Sequence, residues 1–321
     1  MAERPFLFEI YRLNVVDEEG MLPFLAPIRT NAEILRVLSS STESRFDRET
    51  ESRRGTFKWS LREFATYDLD DDTPWAATLT FARSVITQTG QTVTDSSIEK
   101  ALSQISPPYA EIMHLFFNLE RHLVAVEYNS VVMATSQWRS SLHEILDAAA
   151  HSLEFQSSVR LEPVPREDEV LVAFRSFQRL TRLRVRLRIP NPELDRRTER
   201  LRRELESSGI RDYTQDMKNP RGLSQSADSL PFATAAMAQA GYKDGDITLT
   251  GYRNGKLQSI RTGGKAIRGR IDGLKSYIRG MAVNARTKEA RTAIASILEE
   301  VDRLAEPPIA PDSATAPESD S

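Results

Sequence analysis

The 321 residues, 40% hydrophobic and 28% charged, supply enough apolar material for the core of one large domain or two ordinary ones. Cysteine is absent, which excludes disulfides, thiolate metal sites and cysteine nucleophiles. No stretch approaches the roughly 18 uninterrupted apolar residues of a membrane span, and the opening MAERPFLFEIYRLNVV reads as neither a signal nor a transit peptide.

The net charge of −3 conceals a polarity along the chain. Residues 1–150 carry 14 Lys/Arg against 22 Asp/Glu, residues 151–290 carry 27 against 17, and the remaining tail carries 2 against 7. Within 251–288 there are ten Lys/Arg and a single acid, Asp272. An acidic body with a concentrated basic segment is the footprint of a protein that meets phosphates.

In chain order, Phe6, Phe8 and Ile10 alternate with Leu7, Glu9 and Tyr11, predicting a strand with both faces partly apolar. Thr30 or Asn31 caps a helix carrying Ile34, Leu35 and Leu38 on one stripe. Residues 39–55 are polar and read as a loop. Strands are expected over Phe57–Tyr67 and Trp75–Ile86, separated by an acidic turn at Asp68–Asp72. Ile112–Leu119 and Leu123–Tyr128 read as a hairpin. Thr135 or Ser136 then caps a helix with Trp138, Leu142, Ile145, Leu146 and Ala149 at helical spacing.

A strand at Ser158–Glu162, a helical turn or two over 167–179 and a strand at 182–189 follow. Glu193–Glu206 reads as a charged helix, 207–230 as a connector, and Phe232–Ala240 as a helix stopped by Gly241. Ile247–Tyr252 and Lys256–Arg261 flank Asn254–Gly255, a strong hairpin signal. GGKAIRGRI leads into a long helix from Asp272 to about Leu304, and the Pro/Ser/Asp-rich end cannot bury a core. The pattern predicts an α+β fold: an antiparallel or mixed sheet with helices on one face, a basic hairpin and a long C-terminal helix. Its expected divisions are a body over 1–206, the connector 207–230, a basic hairpin–helix region over 231–304 and a disordered tail over 305–321.

Two constellations carry candidate chemistry. Arg182, Arg184, Arg186 and Arg188 alternate with Leu183, Val185, Leu187 and Ile189. Same-face residues on a strand lie roughly 6.6–7 Å apart, close to the spacing of successive phosphates. The competing reading is a solvated face whose arginines pair with acids such as Glu162 or Glu127. The second constellation comprises Arg253, Lys256, Arg261, Lys265, Arg268, Arg270, Lys275 and Arg279 around Gly263 and Gly264, feeding a helix start. Glycine N–H groups and a helix N-terminus favour an anion, although no GxxxxGK[ST] pattern is present. With only Tyr252 and Tyr277 interleaved, the segment suits phosphate contact better than base stacking. His114, His122, His143 and His151 form no metal-ligand motif, and no catalytic motif, metal site or cofactor is expected. Asp244, Asp246 and Lys256 only loosely imitate a metal-dependent nuclease.

The hairpin HLFFNLERHLVAVEYNSV, the strands VRLEPV and RLRVRLRIP, and the segment GDITLTGYRNGK resemble, in order and spacing, the RexA proteins of phage-exclusion systems over roughly residues 112–275. The resemblance implies a non-enzymatic, homodimeric DNA-binding protein that works with a membrane-embedded partner, and it carries over Tyr252, Arg253 and Lys256. The expectation is therefore a cytoplasmic, largely sequence-independent binder of double-stranded DNA, a sensor or effector in anti-phage defence. The alternatives are an RNA-binding regulator, the nuclease, or a protein–protein adaptor using the same basic surface.

Overall fold

The computed structural model describes residues 5–17, 28, 30–53, 55–67, 76–134, 137–166, 169–188, 207–208, 210, 212–274, 278 and 287–305. The predicted acidic turn, the caps at Thr135 and Ser136, the charged helix Glu193–Glu206 and the tail beyond Ala305 lie outside the described residues.

The fold is α+β and antiparallel, built on two sheets. The larger contains β1 (Phe6–Asp17), β2 (Arg48–Ser52), β3 (Gly55–Tyr67), β4 (Ala76–Val93), β5 (Ile98–Asn118), β6 (Leu123–Glu127), β7 (Ser157–Pro163) and β12 (Arg268–Ile271). Its order is β12-β1-β6-β5-β4-β3-β2, and β7 follows β12 along the same edge of β1. The smaller sheet, in the order β11-β10-β8-β9, contains β8 (Arg179–Arg188), β9 (Asp212–Lys218), β10 (Lys243–Arg253) and β11 (Lys256–Thr262).

The larger sheet needs cover on both faces because its central strands are apolar on both. Leu115, Phe117, Val124 and Val126 pack under α1 (Asn31–Ser40) and α2 (Gln137–Ser152). Phe116, Leu123 and Ala125 point the other way with Phe6, Phe8 and Ile10, under α5 (Lys288–Ala305). The predicted arrangement with helices on one face therefore holds for the smaller sheet and not for the larger one. Buried strands of this kind read as continuous apolar runs rather than alternating ones, which is the pattern of Ile112–Leu119. Thr30 caps α1 reciprocally: its hydroxyl accepts from the Glu33 N–H while Glu33 accepts from the Thr30 N–H.

Four segments differ from the sequence reading. Residues 48–52, expected in a loop, form β2; RETES has no apolar residue and is held by pairing with β3 at the sheet edge. β4 and β5 run on past Gln88, where β3 ends, as a two-stranded ribbon turning at Thr94–Ser97 and exposing Val93, Ile98 and Leu102. The connector 207–230 contains β9, whose pairing with β8 completes the smaller sheet. GGKAIRGRI feeds β12 instead of a helix. Ile267 and Gly269 are buried and alternate with exposed Arg268 and Arg270, a period of two. A β-carbon on Gly269 would lie 2.0 Å from Phe8 Cζ, so only glycine lets β12 lie on that buried ring.

The smaller sheet buries Leu183, Val185, Leu187, Ile247 and Leu249 against α3 (Glu169–Arg175) and α4 (Leu230–Gln239). Arg12 on β1 joins the two sheets. It is 3% exposed, donates to the Ala240 and Arg121 carbonyls, and lies 4.5 Å from the Tyr242 ring centroid. A cation at the C-terminal end of α4 also complements that helix's dipole. No helix among the described residues is long and apolar enough to cross a membrane.

Candidate nucleic-acid interface

With α3 and α4 on one face of the smaller sheet, the side chains that alternate with its core residues stand on the other. Register places them in rows. Asp216, Arg184, Thr248 and Arg261 lie side by side across four strands, as do Lys218, Arg182, Thr250 and Ser259 in the next row. Arg186 stands between Thr214 and Asp244. Among the described side chains the face thus gathers five cations (Arg182, Arg184, Arg186, Lys218, Arg261) against two carboxylates, Asp216 and Asp244. Lys218 and the Asp216 pairing are not legible in the sequence, because the polar composition of β9 gives it the look of a connector.

The arginines are held differently from one another. Arg182 binds Asp216 bidentately at 2.8 and 2.6 Å, which holds the Asp216 carboxyl down at about 2. Arg186 lies 3.4 Å from Asp244. Arg184 is exposed and forms no ion pair among the described residues. These acids come from neighbouring strands of the same sheet. The expected partners are elsewhere: Glu127 is buried against His114, Nδ1 to Oε2 at 2.6 Å, and Glu162 lies on β7 in the other sheet. At the end of the ladder the backbone of Arg188 is in register with that of Asp212.

The second constellation is divided by the fold. Arg253 and Lys256 face each other at the Asn254–Gly255 turn, where both turn residues have positive φ, +52° and +73°. The Arg179 guanidinium lies 4.1 Å from the Tyr252 ring centroid and occupies one face of that ring. Arg268 and Arg270 are on β12, in the other sheet, where Arg268 binds Glu9 at 3.0 Å and Arg270 binds Asp272 at 2.9 Å. Lys265 lies in the loop between the sheets. Lys275 and Arg279 lie outside the described residues. The glycine loop does not act as an anion cradle on a helix: the Gly263 N–H donates to Glu169, and the chain continues into β12.

That loop borders a cleft where the two sheets meet. One part, about 440 Å³, is lined by Arg139, Arg166, Lys265 and Arg268 together with Glu9, Tyr11 and Trp138. The adjoining part, about 630 Å³, shares Arg166, Gly264 and Lys265 and adds Arg261, Glu169 and Asp246. Arg139 and Arg166 escaped the sequence reading because they are isolated cations, 27 residues apart, that only the tertiary fold brings together.

The nuclease grouping is not assembled. Asp246 and Arg253, the partner of Lys256, are seven residues apart on β10, roughly 23 Å in an extended strand. Among the described residues no three His, Asp or Glu side chains are placed to hold a metal ion. His122 meets Asn31 and His143 accepts the Leu161 N–H, so the histidines are dispersed through the larger sheet and its helices.

No curated protein matches the chain. A family model described as "Domain of unknown function (DUF4747)" matches residues 44–268, more than two thirds of the length. The match runs from the turn before β2 to the start of β12, spanning the arginine-bearing sheet and both loops of the cleft, and the chain belongs to the DUF4747 family.

Proposed function

We propose that this protein is a non-enzymatic binder of double-stranded DNA that seats the phosphate backbone on the open arginine face of its smaller sheet. The observation that carries the reading is the excess of cations on a face that, among the described residues, no helix covers and on which Arg184 at the centre forms no ion pair. Successive arginines on β8 stand roughly 6.6–7 Å apart, and guanidinium–phosphate bonds are geometrically specific without reading sequence. Arg253 and Lys256 add charge at the hairpin tip, beyond the end of the sheet and on the parity opposite to the arginine rows. The likeness to RexA proteins supports the further proposal of a cytoplasmic homodimer that senses or answers invading phage DNA and engages a membrane-embedded partner.

The test is binding to a fluorescent duplex between about 50 and 300 mM salt, with duplex RNA as competitor. Steep loss of affinity with salt is expected, with log K falling by ~0.9 per phosphate neutralised, and DNA competing better than RNA. Absence of binding at the lowest salt overturns the reading, and preference for the A-form competitor converts it to an RNA-binding one.

Asp216 gives a second expectation. It occupies Arg182 and lies 3.4 Å from Lys218, so Asp216→Asn releases both for phosphate and raises duplex affinity by about three- to tenfold. The same carboxyl fixes a pH window. Its folded-state pKa of about 2 lies below the ordinary 3.8, so the pair stabilises the sheet above pH ~4 and loses that contribution as pH falls toward 2. Acid denaturation of wild type and Asp216→Asn therefore diverges above pH ~4 and converges near pH 2. An unchanged or weakened affinity in the variant would count against phosphate contact at Arg182.

A further inference from the structure

The part of the cleft lined by Arg139, Arg166 and Lys265 lies off the arginine face, and only the adjoining part shares a residue, Arg261, with that face. Arg139, Arg166 and Lys265 make no ion pair or side-chain hydrogen bond among the described residues. Three carboxylates border the cleft: Glu9 accepts from the Tyr11 hydroxyl at 2.7 Å and from Arg268 at 3.0 Å, Glu169 accepts from the Thr262 hydroxyl at 2.7 Å and from the Gly263 N–H, and Asp246 lies beside Gly264 in the adjoining part. The first turn of α2, a helix of 16 residues, supplies Trp138 and Arg139 to the wall, so the positive end of its dipole adds to the side-chain charge. Burial lowers the pKa of Lys243 nearby, Glu162 and Asp246 oppose that shift, and Arg139 adds a smaller effect in the direction of burial. Like charges collected in one recess raise one another's energy, and an anion relieves all of them at once.

The volume, about 440 Å³, is in the range of small-ligand sites rather than of a flat contact with a polymer. Its lining is polar and cationic, with a limited apolar element at Met133 and the edge-to-face pair Tyr11–Trp138, ring centroids 5.5 Å apart. An apolar ligand would leave the guanidiniums unmet, whereas a phosphate group satisfies them in forked geometry. We infer that this cleft binds a phosphate-bearing ligand of nucleotide size, its phosphate held by Arg139, Arg166 and Lys265, supplied either by a free nucleotide or by the 5′-phosphorylated end of a nucleic-acid strand. None of these three residues stands on the sheet face assigned to duplex DNA, so this site does not depend on that reading.

Calorimetry of the full chain at low salt, with ATP, inorganic phosphate and a trinucleotide with and without a 5′-phosphate, tests the inference and separates the sources. A trinucleotide is too short to span the arginine rows. ATP binding identifies a free-nucleotide site, and preference for the 5′-phosphorylated trinucleotide over both ATP and its unphosphorylated form identifies a strand-end site. In either case R166E/K265E weakens the binding on the order of 100-fold, at about tenfold per lost charge-assisted contact. Both side chains are exposed, so the variant keeps the wild-type thermal midpoint, while R184E retains the cleft ligand and loses duplex affinity. Failure of all four probes to bind, or binding undiminished in R166E/K265E, overturns the inference whatever the duplex assay gives.

Discussion

Replacing Gly251 by alanine is expected to destabilise the smaller sheet by about 3 kcal/mol, the upper range for overpacking a closed site. Gly251 is buried where β10 meets β8, at a shift of register between Thr250 and Gly251. A β-carbon there would lie 2.4 Å from the Arg179 carbonyl oxygen and 2.9 Å from the Leu180 Cα, with Phe177 at 3.0 Å. Two of the three obstacles are backbone, so no rotamer change admits the methyl group. β8 must move away from β10, and β8 carries the arginine row as well as Leu183, Val185 and Leu187 of the core beneath it. Gly90 provides the contrast: nothing lies within 4 Å of the same added atom, and its backbone is not left-handed. Gly90→Ala should therefore leave the thermal midpoint within about a degree or raise it, since the substitution restricts the unfolded chain. Circular dichroism melts of the two variants decide the matter, and equal midpoints would mean that the strand contact at Gly251 is not as close as described.

The contrast between these glycines is invisible in the sequence, and the same holds for much of what surrounds the candidate site. Local chemistry was legible. A cap at Thr30 or Asn31 with the stripe Ile34, Leu35 and Leu38 announces α1, Asn254–Gly255 announces the turn between β10 and β11, and the stripe from Trp138 to Ala149 announces α2. Each of those signals is complete within a few residues. β2 was not legible because a polar edge strand is held by ladder bonds to β3 rather than by side chains. β9 did carry a signal, Tyr213, Gln215 and Met217 alternating with Thr214 and Asp216, but its polar composition hid the inward row. The alternation in RGRI was likewise available and was outweighed by the expectation of a helix beyond it.

The arginine row shows where the limit lies. Period-two patterning placed Arg182, Arg184 and Arg186 on one face, which the register bears out, but it could not name their partners. Those partners, Asp216 and Asp244, come from flanking strands 34 and 58 residues along the chain. Which arginine is neutralised and which is left for a ligand is thus decided by strand order. Arg139, Arg166 and Lys265 are a stronger instance, since nothing in the neighbourhood of any one of them marks it as belonging with the other two.

Reversing two charges at the centre of the arginine face, R184E together with R261E, is expected to lower duplex affinity on the order of 100-fold at ~100 mM salt. The two residues flank Thr248 in one row across β8, β10 and β11, so a phosphate backbone crossing the strands meets both. The reversal changes the face from five cations against two carboxylates to three against four, turning attraction into repulsion. Loss of two phosphate contacts also lowers the slope of log K against log salt by ~1.8, and this second readout separates a binding defect from a folding one. Both side chains are exposed, and the core residues between them remain Leu183, Val185 and Leu249, so the melting transition stays near wild type apart from mild repulsion between residue 184 and Asp216. R184Q/R261Q, which removes charge without inverting it, should fall about tenfold. Arg53→Glu, half the charge change of the double reversal and equal to that of R184E alone, lies in the turn between β2 and β3 of the other sheet and should alter affinity less than about twofold. If Arg53→Glu weakens binding as much as the double reversal, the interaction follows net charge alone and the sheet face is not its seat. If neither variant changes the affinity or the slope, the phosphates lie elsewhere, and the hairpin tip at Arg253 and Lys256 becomes the surface to reverse.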